Sequence, residues 1–336
     1  MKQSRVVVTD YNFPSLDAER AAAQVNGASF EAYQCSSAEQ VAEAVSGASV
    51  VAVQFAPLTA AALGRLAPKA RIVRYGVGYD NIDVEAAASV GHTVAYVPDY
   101  CVDEVADHTV AAVLASLRKL VDLDASVRAG QWSAAPVCHP MPPFSAAVVG
   151  FLGLGRIGRG VMHRLRAFGF SFLVYDPALT AVELGALGAA KAEDLPQLFA
   201  AADVLTLHAP STDETRHIVN SRTLRLLKRN AVIINTSRGD LIDAAALAEA
   251  LRQEIIGGAV LDVFEREPLE ASSPLRSAPH LLLSPHAAWY SDSSIRRLQT
   301  LVAEEIHRGL KSEPPRCPVP AAARRAGGLE ARTRNP

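Results

Sequence analysis

Three short runs in the second half of this 336-residue chain carry polar groups that a buried strand does not need: INTSRGDLID (234–243), GAVLDVFEREP (258–268) and LSPHAAWYSD (283–292). Each begins in an apolar stretch that reads as a strand. In a doubly wound sheet, ligands bind outside the carboxyl ends of the strands, so these three ends are expected to converge. They would bring together one fixed cation (Arg238), one imidazole (His286) and the carboxylates of Asp262, Glu265 and Glu267. Such a set suits reduction of a carbonyl that stands beside a carboxylate. Each residue also has a structural reading. Arg238 could pair with Asp240 or Asp243, Glu267 could be a turn residue before Pro268, and His286 could be a satisfied strand-end histidine. Their convergence favours the chemical reading.

A second constellation lies upstream. In AAVVGFLGLGRIGRG, Gly153, Gly155 and Gly158 form a GxGxxG pattern. An apolar strand leads into it and a helical pattern leads out, and that context gives the motif its meaning. Gly153 permits the tight turn, Gly155 lets a pyrophosphate approach the backbone, and Gly158 lets helix and strand pack closely. The phosphates would sit at the positive end of the helix. The following strand, SFLVYD, ends at Asp176, where an acidic side chain accepts hydrogen bonds from the adenosine ribose and repels a 2′-phosphate. The expectation is NAD rather than NADP.

Positioning these groups requires a particular order of elements. The first hundred residues alternate strand-like runs (5–9, 49–55, 71–74, 93–96) with Ala-rich helical patterns (17–25, 38–45, 58–66), which implies a parallel sheet covered on both faces. A long helix is expected over 102–120, with Asp103, Glu104 and Asp107 early and Arg118 and Lys119 late, matching the helix dipole. The Pro-rich stretch 130–144 reads as a loop. A second series has strands near 146–150, 171–175, 204–207, 231–235, 259–261 and 281–284, with helices over 156–168 and 243–252. A last helix, 293–310, carries Ile295, Leu298, Leu301, Val302 and Ile306 at helical spacing and would return to the first domain.

The resulting fold class is α/β: two doubly wound parallel-sheet domains, with a Rossmann NAD-binding domain (101–289) inserted into a flavodoxin-like substrate domain (1–100 plus 290–312). Residues 313–336 are expected to be a mobile tail.

Composition narrows the function further. A formal charge of −2 argues against nucleic-acid binding as a main activity, because neutralising a phosphate backbone calls for a basic excess. Cys35, Cys101, Cys138 and Cys317 have no metal-ligand or redox-pair spacing, so no metal is expected and the thiols suit a reducing compartment. No apolar run is long enough to span a membrane, and nothing at the N-terminus has the apolar core of a signal peptide. A cytoplasmic location without membrane partners is expected.

Taken jointly, RYGVGYDNID (74–83), GLGRIG (153–158), NTSRGDLID (235–243), LDVFEREP (261–268) and PHAAWYS (285–291) resemble the D-isomer-specific 2-hydroxyacid dehydrogenases over nearly all of residues 1–312. The Trp289 segment is most similar to the branch containing the C-terminal-binding-protein corepressors. Val105 departs from it, standing where those corepressors carry threonine.

The resemblance implies that Arg238 grips a substrate carboxylate, a role that the planar guanidinium fits. His286 would donate a proton to the carbonyl oxygen as NADH delivers hydride. Glu267 would hydrogen-bond the imidazole and stabilise its protonated form. The amides of Val77 and Gly78 would bind the carboxylate, with Arg74 lining the same cleft and Trp289 facing the substrate's side chain. Cofactor contacts are implied for Arg156 and Ile157 after the glycine turn, for His208, Ala209, Pro210 and Thr215 in HAPSTDET, for Thr236 and Ser237, and for Asp262 on the nicotinamide side. A homodimer through the 102–120 helix and its flanking loop is also implied. The expected activity is interconversion of a small 2-oxo acid and its D-2-hydroxy acid. The alternative is an NAD(H)-sensing, corepressor-like binding module with little turnover.

Overall fold

The computed structural model describes residues 3–319, and in it the alternating pattern of the sequence becomes two separate parallel sheets. One unit takes in the described residues up to Cys101 and again from Tyr290, and the other is Val102–Trp289.

The first unit runs β1 (Arg5–Val8), α1 (Asp17–Val25), β2 (Ser29–Ala32), α2 (Ala38–Ala44), β3 (Val50–Val53), α3 (Ala60–Leu63), β4 (Arg71–Arg74), α4 (Val84–Ser89) and β5 (Thr93–Tyr96). Its sheet order, β2-β1-β3-β4-β5 with every pair parallel, is the flavodoxin-like arrangement. Central β3, VVAV, is buried at every position, as a strand covered on both faces must be. Two elements escape the apolar pattern. Edge strand β2 (SFEA) has no fully buried residue, and α4 (VEAAAS) is short and started by the Asp83 side chain, which accepts from Ala86 N.

The second unit runs α5 (Val102–Leu117), α6 (Leu120–Arg128), α7 (Ala135–Cys138), β6 (Val148–Leu152), α8 (Arg156–Leu165), β7 (Ser171–Tyr175), α9 (Ala181–Ala186), β8 (Ala190–Lys191), α10 (Leu195–Ala201), β9 (Val204–Leu207), α11 (Ser221–Leu224), β10 (Val232–Asn235), α12 (Ala244–Arg252), β11 (Gly258–Leu261) and β12 (Leu281–Leu283). The sheet order is β12-β11-β10-β9-β6-β7-β8, all parallel. The order reverses between β6 and β9, which makes their carboxyl ends the switch point of a Rossmann sheet. The strands fill both faces. On β10, Ile233 joins the core under α10 and α12, while Val232 and Ile234 join the core under α5 and α8.

Two expectations need correction here. The helix expected to reach residue 120 stops at Leu117, because Lys119 adopts the left-handed conformation (φ 50°) and α6 starts anew at Leu120. The stretch read as loop, 130–144, contains the short helix α7.

The chain then enters α13 (Asp292–Leu310), started by a capping box between Ser291 and Ser294. This helix packs on α1, β3 and β4 of the first sheet. It approaches so closely that a Cβ on Gly309 would lie 2.8 Å from Arg71 Cβ.

The expected mobile tail is corrected over its first part. Residues 313–319 are held: Arg71 donates to Glu313 O (2.6 Å), Arg316 forks onto Asp99 (2.8 and 2.9 Å), and Val319 N bonds Val94 O (3.0 Å) beside β5. Polar anchors spread over seven residues hold this strap, and hydropathy patterning does not register them. Residues 320–336 lie outside the described part of the chain.

Candidate active site

In the glycine turn between β6 and α8, two of the three glycines are compelled by close approach. Gly153 has φ +83°, and a Cβ there would lie 3.0 Å from the backbone of His208 and Ala209 at the end of β9. A Cβ on Gly158 would be 3.2 Å from Gly153 O. Gly155 differs: it is exposed, and a Cβ built there meets nothing within 4 Å. No side-chain cap bond is made at the start of the ten-residue α8 that follows, so its first N–H groups, from Arg156 and Ile157 onward, have no partner within the helix. This uncapped, glycine-floored helix end fits the pyrophosphate of a dinucleotide.

Asp176, at the end of β7, accepts from Leu154 N (2.8 Å) on one oxygen and Ala178 N (2.9 Å) on the other. The carboxylate is thereby locked beside the turn, with lone pairs left for ribose hydroxyls.

The segment after β9 frames this site. His208 bonds Thr206 Oγ1 through Nε2 (2.9 Å) and stacks on Phe151 at 5.8 Å. Burial pushes its imidazole down to about 4, so it stays neutral. Thr215, expected to contact cofactor, closes its own loop. Its Oγ1 donates to Pro210 O (2.7 Å) and accepts from Thr212 N (2.8 Å). Pro210 stands exposed at the tip.

At the end of β10, Asn235 is fully buried and shapes the next turn. It accepts from Ser237 N (3.0 Å) and donates to Arg238 O (2.8 Å). Thr236 is tied to α5: Thr109 Oγ1 donates to Val105 O (2.7 Å) and so must accept from Thr236 Oγ1 (2.8 Å). Arg238 donates to Ser237 O (2.6 Å). Gly239 follows because nothing larger fits, since a Cβ there would lie 1.9 Å from Phe264 C in the loop after β11.

That loop delivers the acid. Glu267 Oε1 accepts from Phe264 N (2.9 Å), and Oε2 meets His286 Nδ1 at 2.6 Å. Burial raises the Glu267 pKa, but the His286 hydrogen bond and charge, the Phe264 amide and the Arg238 charge outweigh it, and the net shift is downward. The carboxylate therefore stays ionised. Nδ1 faces Glu267, which leaves Nε2 as the nitrogen able to serve a substrate.

His286 itself has φ +52°, unusual for a non-glycine residue. Asp262 holds it there. Asp262 is 1% exposed, and its carboxylate accepts from Ser284 Oγ (2.6 Å), Ala287 N (2.8 Å) and Ala288 N (2.9 Å), while its carbonyl accepts from His286 N (2.7 Å). Asp262, expected on the cofactor, also anchors the loop that carries His286. Trp289, at the end of that loop, is buried.

The structure thus brings Arg238, Glu267 and His286 to neighbouring strand ends of one sheet. Arg74, Val77 and Gly78 lie after β4 in the other unit, where Arg74 folds back onto Tyr75 O. A Cβ on Gly76 would lie 1.9 Å from that guanidinium. Asn235, Thr109 and Gly239 were missed by sequence reasoning. Only Gly239, in the RGD step, left a signal that could have been read.

Residues 110–288 match the family described as D-isomer specific 2-hydroxyacid dehydrogenase, NAD binding domain. The chain belongs to this family. A glyoxylate reductase of Korarchaeum cryptofilum is 39% identical over 254 residues, 74% of this chain and 76% of that protein. A D-3-phosphoglycerate dehydrogenase of Methanocaldococcus jannaschii is 36% identical over 276 residues, 82% of this chain and 52% of the relative. Among solved structures, a D-lactate dehydrogenase of Aquifex aeolicus complexed with NAD and lactic acid superposes with TM-score 0.82 at 26% identity, over 92% of this chain and 96% of that one.

This 2-hydroxyacid dehydrogenase is accordingly an NAD-dependent oxidoreductase. Among the described residues no helix is long and apolar enough to cross a membrane, and no cluster of side chains could hold a metal ion.

Proposed function

We propose that this dehydrogenase reduces a small 2-oxo acid to the D-2-hydroxy acid, with His286 as proton donor and NADH preferred over NADPH. The observation that carries the proposal is the Glu267–His286 pair at 2.6 Å, one strand end from Arg238. The bound nicotinamide supplies the hydride. His286 gives its Nε2 proton to the carbonyl oxygen, and Glu267 holds the ring by Nδ1 and offsets the charge the imidazole carries beforehand. Arg238, released from Ser237 O, forks onto the substrate carboxylate and draws electron density from the adjacent carbonyl.

Asp176 supports the cofactor preference, because a fixed carboxylate at the ribose repels a 2′-phosphate. Contacts from Arg74, Val77 and Gly78, a substrate-facing Trp289 and a homodimer through the 102–120 helix and its flanking loop rest on the family resemblance. Exposed Leu120, Val121, Val127 and Trp132, in and just after α6, agree with the last of these.

The test is steady-state turnover on a panel of 2-oxo acids from glyoxylate upward, with NADH and NADPH side by side. Turnover with NADH well above NADPH, abolished in His286→Ala, is expected. Tight NADH binding without turnover of any oxo acid would favour a nucleotide-sensing binding module instead. Equal efficiency with the two cofactors would remove Asp176 from the specificity argument.

A further inference from the structure

Beside the catalytic pair lies a second histidine–glutamate pair that the reaction leaves unused. His217 Nε2 meets Glu265 Oε1 at 2.5 Å, and Glu265 Oε2 accepts from Ala244 N, the first amide of α12, at 3.1 Å. Both side chains are partly open, at 36% and 28% exposure. A polar pair this exposed is worth about 0–1 kcal/mol of stability, too little to explain its construction.

The construction is elaborate. Like His286, His217 is held at positive φ (48°), a conformation that turns up at functional sites when the surroundings enforce it. Its N–H donates to Asp240 O (2.8 Å), and its carbonyl accepts from Asn220 Nδ2 (2.8 Å). The next turn continues the clamp, with Val219 N bonding Leu241 O (3.0 Å) and Asp243 N bonding Val219 O (2.9 Å). The segment 217–219 is therefore stitched along 240–243, directly after Arg238 and Gly239. From there the His217 ring reaches across to Glu265, two residues before Glu267. Gly239 is already in backbone contact with Phe264 and Glu265, and Phe264 N holds Glu267 Oε1.

We infer that His217 and Glu265 form a positioning pair that sets the spacing between Arg238 and the Glu267–His286 couple. The backbone contact at Gly239 limits how near the two loops come. The His217–Glu265 bond, with the Ala244 amide behind it, limits how far apart they drift. The substrate's carboxylate and its carbonyl oxygen are covalently fixed relative to each other, so the groups that grip them must keep a matching separation. The inference rests on the roles proposed for Arg238 and His286.

Two amides separate positioning from packing. His217→Asn suits the left-handed backbone better than histidine does, yet it is too short to reach Glu265. His217→Gln suits that backbone less well, but its Nε2 overlays the imidazole Nε2 and restores the bond. We expect His217→Asn to raise KM for the oxo acid and lower kcat, a combined loss of roughly ten- to a hundredfold in kcat/KM, since displacement of about 1 Å at reacting groups costs on that order. His217→Gln should recover most of it, and NADH affinity by fluorescence titration should stay unchanged in both. Glu265→Ala should match His217→Asn, and the double variant should be no worse than either single one.

Native KM and kcat in His217→Asn would overturn the inference, as would His217→Gln proving worse than His217→Asn. So would a loss shared equally by NADH affinity and thermal stability. Arg238→Ala and His286→Ala, run in parallel, test the underlying roles. If either retains full turnover, that reading fails whatever His217 does.

Discussion

Asp262→Asn exchanges one carboxylate oxygen for an NH2 at constant size, and the geometry fixes what it must do. The native oxygens receive three donors: Ser284 Oγ and Ala287 N on Oδ1, and Ala288 N on Oδ2. An amide can accept on one side only. With its NH2 toward Ala288, that backbone N–H loses its acceptor. With the NH2 toward Ala287 the same happens there, although Ser284 can turn its hydroxyl to accept. Either way one backbone N–H beside a 1% exposed side chain is orphaned, at about 1–3 kcal/mol. The surviving bonds weaken from charged to neutral acceptor, by roughly 0.5–1 kcal/mol each. Removing a buried charge also removes its desolvation penalty, which offsets part of the loss and leaves a net cost near 2 kcal/mol. A domain of this size loses about 2–4 °C in Tm per kcal/mol, so differential scanning calorimetry should read a fall of roughly 4–8 °C.

The loop that loosens is the one presenting His286. The rate of oxo-acid reduction at saturating NADH should therefore fall about ten- to a hundredfold, a share of what a positioned proton donor contributes. NADH affinity should hold. A native kcat despite the lower Tm would show that the loop can relax without moving His286. Lost NADH affinity with an unchanged Tm would return Asp262 to the cofactor and refute the anchoring argument.

Two further outcomes follow from the geometry. Reduction requires a proton delivered from His286, and Glu267 fixes the imidazole by its Nδ1 at 2.6 Å. Glu267→Gln is therefore expected to lower kcat for oxo-acid reduction about ten- to a hundredfold with NADH affinity kept, and a native kcat would remove Glu267 from the proton step. In the first unit, Glu305 is 1% exposed, pairs with Arg71 at 3.1 Å and accepts from Arg316 N at 2.6 Å, so Glu305→Ala should cost about 3–5 kcal/mol by stranding a buried guanidinium. Arg316→Ala removes only a surface fork onto Asp99 and should cost about 0–1 kcal/mol; calorimetry showing equal losses would contradict this ranking.

Much of this was legible before any coordinates, for identifiable reasons. Strands that pack into a sheet core carry short apolar runs at their centres, and so β4, β5, β7 and β9 fall on the residues the pattern marks. The glycine turn was readable because Gly153 and Gly158 are sterically compelled, and Gly155 completes the spacing between them. Glu267 and His286 stood out because charged and titratable groups at strand ends have few bland explanations. Edge strand β2 and helix α4 were not legible, since a half-exposed element carries little periodic signal. The 313–319 strap reads as disordered by composition, and a few long-range anchors on Arg71, Asp99 and Val94 override that.

By itself, then, the sequence determined the two-sheet α/β class, the dinucleotide turn and which side chains could do chemistry, because local sterics and burial periodicity act over a few neighbouring residues. What only the tertiary structure decided is which polar groups serve ligands and which serve one another. Asp262, Thr215 and Thr236 carry side chains as suited to a cofactor as Asp176 does. They also bond Ala287 and Ala288, Pro210, and Thr109, partners up to 127 residues distant in the chain. Likewise nothing in the spacing of His217 and Glu265, 48 residues apart, sets them beside Arg238 and Glu267. A polar side chain's partner is chosen by distance in space, and that distance exists only once β9, β10 and β11 lie side by side.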